Sequence, residues 1–208
     1  MIGLIVKDLM TIQRQLRSQA YVVLFLLVMA IFMQQSSMLL AVIVFIVTIQ
    51  AITALTYDEQ SSWDKYANTL PISKGDIVLS KYILSVLLMI IGLIIALPII
   101  FLINYFTDHG ITTDFFLTFI MIVTLALCLL AVLLPIYIKF GSIKGKMVLI
   151  ALCFIPGFLL GMFKEYLPNI PFTFLNVKQF MFVTPFAGLL LLWLSSLIST
   201  AIYKRKEF

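Results

Sequence analysis

The chain has 208 residues, of which 63% are hydrophobic and only 11% are charged. Soluble domains carry about 25% charged residues, so this composition excludes an ordinary soluble domain. The net charge of +5 raises the question of a nucleic-acid partner. The basic residues form short clusters beside apolar runs, however, which favours lipid headgroups over nucleic acid. The length suits one membrane domain over residues 1–208.

The N-terminal residues 1–17 predict an amphipathic helix that lies along the membrane interface. Apolar side chains recur there at steps of three and four, and charged or amide side chains cover the remaining positions. The apolar positions are Ile2, Ile5, Leu9, Ile12 and Leu16. The alternative is a cytoplasmic extension of the first membrane span.

Six apolar runs follow and predict an all-α, multi-pass membrane protein. A helix needs about 20 apolar residues to cross a hydrocarbon core of about 30 Å, so the first run is short and must borrow flanking residues. The predicted spans cover about residues 20–33, 38–57, 82–104, 115–138, 147–163 and 180–203.

The distribution of basic residues predicts the direction of each crossing. Positively charged loops are retained on the cytoplasmic side of the membrane. With six spans, twelve of the 14 Lys and Arg residues fall on one side, and both termini are therefore expected in the cytoplasm. The inner set is Lys7, Arg14, Arg17, Lys65, Lys74, Lys81, Lys139, Lys144, Lys146, Lys204, Arg205 and Lys206, and the outer set is Lys164 and Lys178.

The predicted spans contain no Asp, Glu, Lys, Arg or His. Ion-coupled carriers and intramembrane enzymes usually need such groups at depth. The only histidine, His109, falls in an outer loop, and residues 141–147 have neither the glycine spacing nor the final Ser or Thr of a P-loop. We therefore expect no catalytic, cofactor-binding or metal site and no enzymatic activity in this chain, so energy for active work would come from another protein.

Residues 56–71 predict a short cytoplasmic helix with an aromatic face. One continuous helix would place Glu59, Trp63, Tyr66 and Leu70 on one side, with Asp58 and Glu59 at its positive N-terminal end. Pro71 would end it. The alternative is an interfacial helix whose aromatic side chains anchor at the headgroups. Beyond it, Ser73 and Asp76 predict a capping box at the start of the third span.

The order of these parts resembles the transmembrane subunit of an ABC-2-type transporter, in the group of small six-helix bacterial permeases. The resemblance is carried by Asp58-Glu59, Trp63, Tyr66, Leu70-Pro71, Val78 and Ser80-Lys81-Tyr82. It implies that residues 56–71 form a coupling helix seated in a groove of a separate cytoplasmic ATPase, which would bind ATP and magnesium. The expected contacts are Asp58, Glu59, Trp63, Tyr66 and Leu70. The N-terminal helix would correspond to the connecting helix of the family.

The resemblance also implies a dimer, with a second copy or a related permease, around a central pathway. Gln50, Asn104, Ser195 and Ser199 could line that pathway, although interhelical or backbone hydrogen bonds explain these residues equally well. The expected activity is export of amphipathic peptides, such as bacteriocins or cytolytic toxins, or of hydrophobic antibiotics. The rival hypothesis is a non-transporting immunity, scaffold or sensor protein of the same topology.

Overall fold

The computed structural model describes residues 2–33, 36–106, 113–163 and 183–206, and these ranges form helices and turns without a strand. The helices are α1 (Ile2–Met33), α2 (Ser36–Gln60), α3 (Trp63–Ala67), α4 (Lys74–Phe106), α5 (Thr113–Phe163) and α6 (Thr184–Arg205). The predicted all-α class is thus confirmed for the described residues.

Four of the described helices are long and apolar enough to cross a membrane. The candidate segments are Leu39–Gln60, Lys74–Phe101, Phe115–Ala151 and Thr184–Arg205. The count of six spans stays a prediction. The chain is therefore a multi-pass membrane protein, because helices of this apolarity satisfy their backbone polar groups internally and bury their side chains in lipid.

α1 is one continuous helix from Ile2 to Met33. The sequence predicts a boundary between an interfacial helix and a first span at residues 17–20. The helical backbone continues through these residues without a break.

Part of the predicted apolar face packs inward: Ile5 and Leu9 lie against the core, whereas Ile2 is 80% exposed. The most buried residues of this segment are Leu4, Asp8 and Ile12. These three residues follow one another at steps of four, which places them on one side of the helix.

α2 is the central helix of the bundle. In its most apolar window 61% of the residues are buried, against at most 39% in the other candidate spans. It is apolar on all sides, as expected for a helix surrounded by other helices. α4 and α5 pack against it, and α6 packs mainly against α5.

The long helix α5 contains a chain reversal at Gly141, whose φ of 80° lies in the left-handed region that favours glycine. In a straight helix, residues eight positions apart lie about 12 Å apart along the axis. A Cβ placed on Gly145 would instead lie 2.7 Å from the ring of Tyr137. The two halves of α5 therefore fold back on each other, and only a glycine fits under the tyrosine ring. The basic loop predicted for residues 139–146 is a helical segment with this break in it.

The predicted helix over residues 56–71 is wrong in one respect. α2 continues to Gln60, and Ser62 then adopts a left-handed conformation (φ 52°) before the five-residue α3 begins at Trp63. Glu59 thus belongs to a different helix from Trp63 and Tyr66, and the three do not share one face. The predicted helix start at Ser73 is confirmed, because its Oγ accepts a hydrogen bond from the Asp76 amide at 3.0 Å.

Candidate functional site

Four charged side chains meet at the end of the bundle that carries α3. Lys81 of α4 contacts both Asp8 of α1, at 2.6 Å, and Asp58 of α2. Lys7 lies 2.6 Å from Asp58 Oδ1 and 2.9 Å from Asp8 Oδ1. We call Lys7, Asp8, Asp58 and Lys81 the charge cluster. It joins three helices through ion pairs.

The charge cluster is withdrawn from solvent. Asp8, Asp58 and Lys81 are 1%, 7% and 5% exposed, and Lys7 is half-buried. Two cations face two anions, so the group is neutral as a whole. A buried ion pair gains little net stability, because desolvation offsets the attraction, but removal of one partner is costly. The cluster therefore joins α1, α2 and α4 at this end, and each of its members depends on the others for its counter-charge.

The position of Asp58 corrects the electrostatic argument made from the sequence. The carboxylate belongs to the last turn of α2, where the helix dipole presents its negative end. The sequence predicts it at the positive N-terminal end of a coupling helix. Since the dipole disfavours an anion there, the two lysine ammonium groups supply the compensating charge.

Glu59 lies beside Asp58 and reaches a different helix. Its Oε2 accepts a hydrogen bond from the backbone amide of Ser142 at 2.5 Å. Ser142 is the first residue after the reversal at Gly141, so the carboxylate caps the positive N-terminal end of the second half of α5. A Cβ on Gly141 would lie only 2.6 Å from Glu59 Oε1. Glycine therefore serves both the backbone conformation and this close approach.

The short helix α3 is held on two sides. The Lys7 ammonium lies 4.1 Å from the centroid of the Trp63 ring, within the range of a cation–π contact. On the other side, Tyr203 of α6 donates a hydrogen bond to Asp64 at 3.2 Å. Tyr66 packs beside Trp63, with ring centroids 5.2 Å apart, yet remains 57% exposed. The free aromatic surface of α3 is therefore Tyr66.

A small cavity of about 40 Å³ lies between the charge cluster, α3, α5 and α6. That volume exceeds what one water needs, and both apolar and charged side chains line it. The ionic residues among its walls are Asp58, Glu59, Asp64, Lys81 and Lys206. Within the described ranges, no three His, Cys, Asp or Glu side chains come close enough together to hold a metal ion.

The other predicted residues belong to the helices of the bundle and not to α3. Gln50 is fully buried in α2. Ser195 and Ser199 each lie 2.7 Å from the Tyr82 hydroxyl, and Ser195 also donates to the Ala131 carbonyl at 2.6 Å. Both serines thus bridge helices inside this chain. The side chain of Asn104 lies outside the described residues.

Leu70 follows α3 and is half-buried. Asp58 and Glu59 have their carboxylates engaged within the chain, whereas Tyr66 is exposed. Of the five residues expected to contact a partner, the structure brings Asp58, Glu59 and Trp63 into the internal network and presents Tyr66 outward. The partner contact itself stays a prediction.

Sequence reasoning missed Lys7, Asp8 and Lys81 as members of a site. One signal was available for Asp8, since it lies four residues from both Leu4 and Ile12 and so shares a helix face with them. A carboxylate on an apolar face needs hydrogen-bond donors or a cation beside it. No local pattern identifies Lys81 as that cation, because the pairing spans 73 residues.

A protein-family comparison supplies the wider context for this end of the bundle. The family model described as "ABC-2 family transporter protein" matches residues 3–204, nearly the whole chain. No curated protein and no solved structure matches the chain. Taken with the multi-pass helical fold, the match shows that the chain belongs to the ABC-2 transporter family, as the membrane permease subunit of an ABC transporter.

Proposed function

We propose that this permease works in an ATP-driven exporter and that α3 is its coupling helix. The observation that carries the proposal is the exposed Tyr66 on a helix whose other side is fixed to the bundle. Trp63 contacts Lys7 of α1, and Asp64 accepts from Tyr203 of α6. A partner that moves α3 through Tyr66 would therefore move these helices with it.

The contacts around α3 extend the same argument to the remaining helices. α2 leads directly into α3, and its last turn holds α4 through Asp58 and Lys81 and α5 through Glu59. A displacement of α3 can thus be transmitted to each long described helix through packing, ion pairs or hydrogen bonds. Switching would then be a change between two rigid arrangements, with the free-energy difference supplied by nucleotide on the partner.

The proposed partners are two cytoplasmic ABC ATPase subunits, which carry ATP and magnesium, and a second permease copy or a related permease. The chain itself would have no enzymatic activity. We propose six crossings with both termini in the cytoplasm. The reversal at Gly141 supports this count, because it sets the two halves of α5 antiparallel. The one-sided distribution of Lys and Arg supports the direction.

The proposed cargo has substantial apolar character. Between residues 39–57, 82–101, 115–138 and 184–203 the chain has no Asp, Glu, Lys, Arg or His. A strongly charged substrate would find no counter-charge at these depths. Amphipathic peptides of the bacteriocin or cytolytic-toxin kind are the first choice, and hydrophobic antibiotics are the second.

Photo-crosslinking from α3 tests the coupling proposal. A benzophenone amino acid replaces Tyr66, and a control chain carries it at Trp193, a 61% exposed position on α6. In cells that produce the intact transporter, we expect position 66 to crosslink to a protein with a Walker A motif and position 193 not to do so. ATP hydrolysis by the isolated complex should fall in Tyr66→Ala. An ATPase that crosslinks equally from both positions, or none from position 66, would reject the assignment.

Cysteine labelling tests the topology separately. With Cys128 and Cys153 replaced by Ser, a single cysteine at position 66 should react with a membrane-impermeant maleimide only after the cells are opened. Labelling of intact cells at that position would place α3 outside, where it could meet no ATPase.

A further inference from the structure

The charge cluster is a closed ring in which cations and anions alternate. Lys7 contacts Asp8 and Asp58, and Lys81 contacts the same two carboxylates. Lys7 and Asp8 both belong to α1, whereas Asp58 comes from α2 and Lys81 from α4. One helix of the ring thus carries both signs of charge, and the other two carry one sign each.

This division of charge decides which helix can leave the ring without leaving a charge unpaired. If α1 moves away, Lys7 stays with Asp8, and Asp58 stays with Lys81, so both parts are neutral. If α2 or α4 moves away instead, an unpaired charge remains on each side. An unpaired charge in a buried site is very costly. Of these three helices, only α1 can therefore separate at low electrostatic cost.

The pair that would remain on α1 is incompletely formed in the ring. Lys7 Nζ lies 2.9 Å from Asp8 Oδ1, but this oxygen accepts no hydrogen bond from any described residue. Departure of α1 would bring it into contact with water. Asp58 and Lys81 would stay enclosed, because both also line the small cavity beside α3, α5 and α6. The separated arrangement thus satisfies an acceptor that the closed ring leaves unsatisfied.

The N-terminal part of α1, residues 2–13, has two faces that suit two surroundings. Its most deeply buried residues, Leu4, Asp8 and Ile12, face the bundle. The apolar stripe that predicts an interfacial helix is centred about a quarter of a turn away. That stripe includes Ile2, which is 80% exposed. This part of the helix can therefore exchange its contacts with the bundle for contacts with the membrane surface.

We propose that the N-terminal part of α1 is a detachable clamp on α3. In the closed arrangement, Lys7 completes the ring of charges and lies 4.1 Å from the centroid of the Trp63 ring. In the open arrangement, this part of α1 lies on the membrane surface with Lys7 and Asp8 paired. Helix α3 then loses its contact with α1 and keeps the hydrogen bond from Tyr203 to Asp64. The clamp is a property of this chain and does not depend on the coupling role of α3.

Thiol labelling in lipid nanodiscs measures the opening of the clamp. The purified chain, with Cys128 and Cys153 replaced by Ser, carries either Leu4→Cys or the reference Val78→Cys. Both positions are buried, and each lies one helical turn from a member of the charge cluster.

A water-soluble maleimide should react with position 4 at least about tenfold faster than with position 78. The reason is that α1 can leave with its charges paired, whereas exposure of α4 separates Lys81 from both carboxylates. A hydrogen bond to a charged group is worth at least about a factor of ten.

Four double variants separate the arrangement of charges from the loss of any one residue, because each keeps one cation and one anion. In Lys7→Met/Asp8→Asn and in Asp58→Asn/Lys81→Met, the remaining pair lies on one side of the clamp, so α1 can still leave. In Lys7→Met/Asp58→Asn and in Asp8→Asn/Lys81→Met, the remaining pair joins α1 to a neighbouring helix, so opening must break it. The rate at position 4 relative to position 78 should be about tenfold lower in these last two.

The variants are compared in pairs that share a lysine substitution, so that the loss of that lysine cancels. Equal relative rates within each pair would show that the arrangement of charges does not decide which helix leaves, and would overturn the proposal. A rate at position 4 no higher than at position 78 in the unmodified cluster would also overturn it. The nanodiscs contain no ATPase, so a negative result leaves the crosslink from position 66 to be judged on its own.

Discussion

Glu59 and Ser142 are 83 positions apart in the sequence, yet the Glu59 carboxylate accepts a hydrogen bond from the Ser142 amide at 2.5 Å. One residue stands at the C-terminal end of α2, and the other begins the second half of α5. The bond joins the segment that leads into α3 to the reversal of α5. It is the most direct contact by which α3 could influence that helix pair.

Glu59→Ala should loosen the start of the second half of α5. Loss of a side-chain cap costs about 0.5–2 kcal/mol, and Glu59→Gln, which keeps the acceptor but loses the charge, should cost less. The measurement is the rate of hydrogen exchange of the amides at residues 142–144. We expect this rate to be higher in Glu59→Gln than in the unmodified chain, and highest in Glu59→Ala. Lys65→Ala, at an exposed position of α3, is the control. Equal exchange in Glu59→Ala and the unmodified chain would show that the cap is not formed.

Gly141→Ala should be strongly destabilising. The residue has a φ of 80°, and the new Cβ would lie 2.6 Å from Glu59 Oε1. A backbone with a φ of 80° and a ψ of 179° is open essentially to glycine alone and costs another residue about 1–3 kcal/mol, and the clash adds to it. The matched control is Gly3→Ala, where a Cβ meets nothing within 4 Å; inside a helix it should be neutral or stabilising by up to about 1 kcal/mol. Thermal unfolding in detergent compares the two, and similar midpoints would contradict the reversal at Gly141.

The sequence predicts much of this fold because lipid imposes simple rules. Apolar runs identify α2, α4 and α6 closely: the predicted spans 38–57, 82–104 and 180–203 overlap Ser36–Gln60, Lys74–Phe106 and Thr184–Arg205. At the α3 end, charged residues extend α2 and α4 beyond their apolar cores. Hydropathy identifies only the residues that are soluble in lipid. A helix can continue past them, because it extends as long as its backbone hydrogen bonds are made.

The site is less predictable than the fold. The motif-like region does contain Asp58, Glu59 and Trp63, which are all engaged at the α3 end. Their partners are distant in the sequence, and nothing in the local pattern around Asp58 predicts that it pairs with Lys81. The break before α3 also depends on the left-handed backbone of one residue, Ser62. The helix propensity of serine does not predict that conformation. The prediction that Glu59, Trp63 and Tyr66 share one helix face is therefore wrong, because it extends one helix through that break.

Lys81→Met should be among the most damaging single changes at the α3 end. It removes the cation shared by Asp8 and Asp58 and leaves two buried carboxylates with Lys7 alone. Removal of one partner from a buried ion pair costs about 3–5 kcal/mol. The free energy of unfolding, from a denaturant titration in micelles, is the measurement. Lys144→Met, at an exposed position, is the control and should change it by less than about 0.5 kcal/mol.

A second change tests whether this loss comes from unbalanced charge. Adding Asp8→Asn to Lys81→Met leaves one cation and one anion in the charge cluster, so the double variant should be more stable than Lys81→Met alone. Since contacting residues are not additive, the double-mutant cycle should show a coupling of about 0.5–3 kcal/mol. Simple additivity would mean that Lys81 acts through packing of its methylene groups and not through its charge.

Tyr82→Phe should weaken the contact between α4 and α6. The hydroxyl bridges Ser195 and Ser199, at 2.7 Å from each, and all three residues are buried. Interhelical hydrogen bonds of this kind are worth about 0.6 kcal/mol on average in a membrane bundle and up to about 1.7, so a loss of about 1–2 kcal/mol is expected for the pair. Tyr21→Phe, on a side chain that is 79% exposed, should have no effect on the same titration. If Tyr82→Phe unfolds like the unmodified chain but alters transport, the two serines serve the pathway and not the packing of the helices.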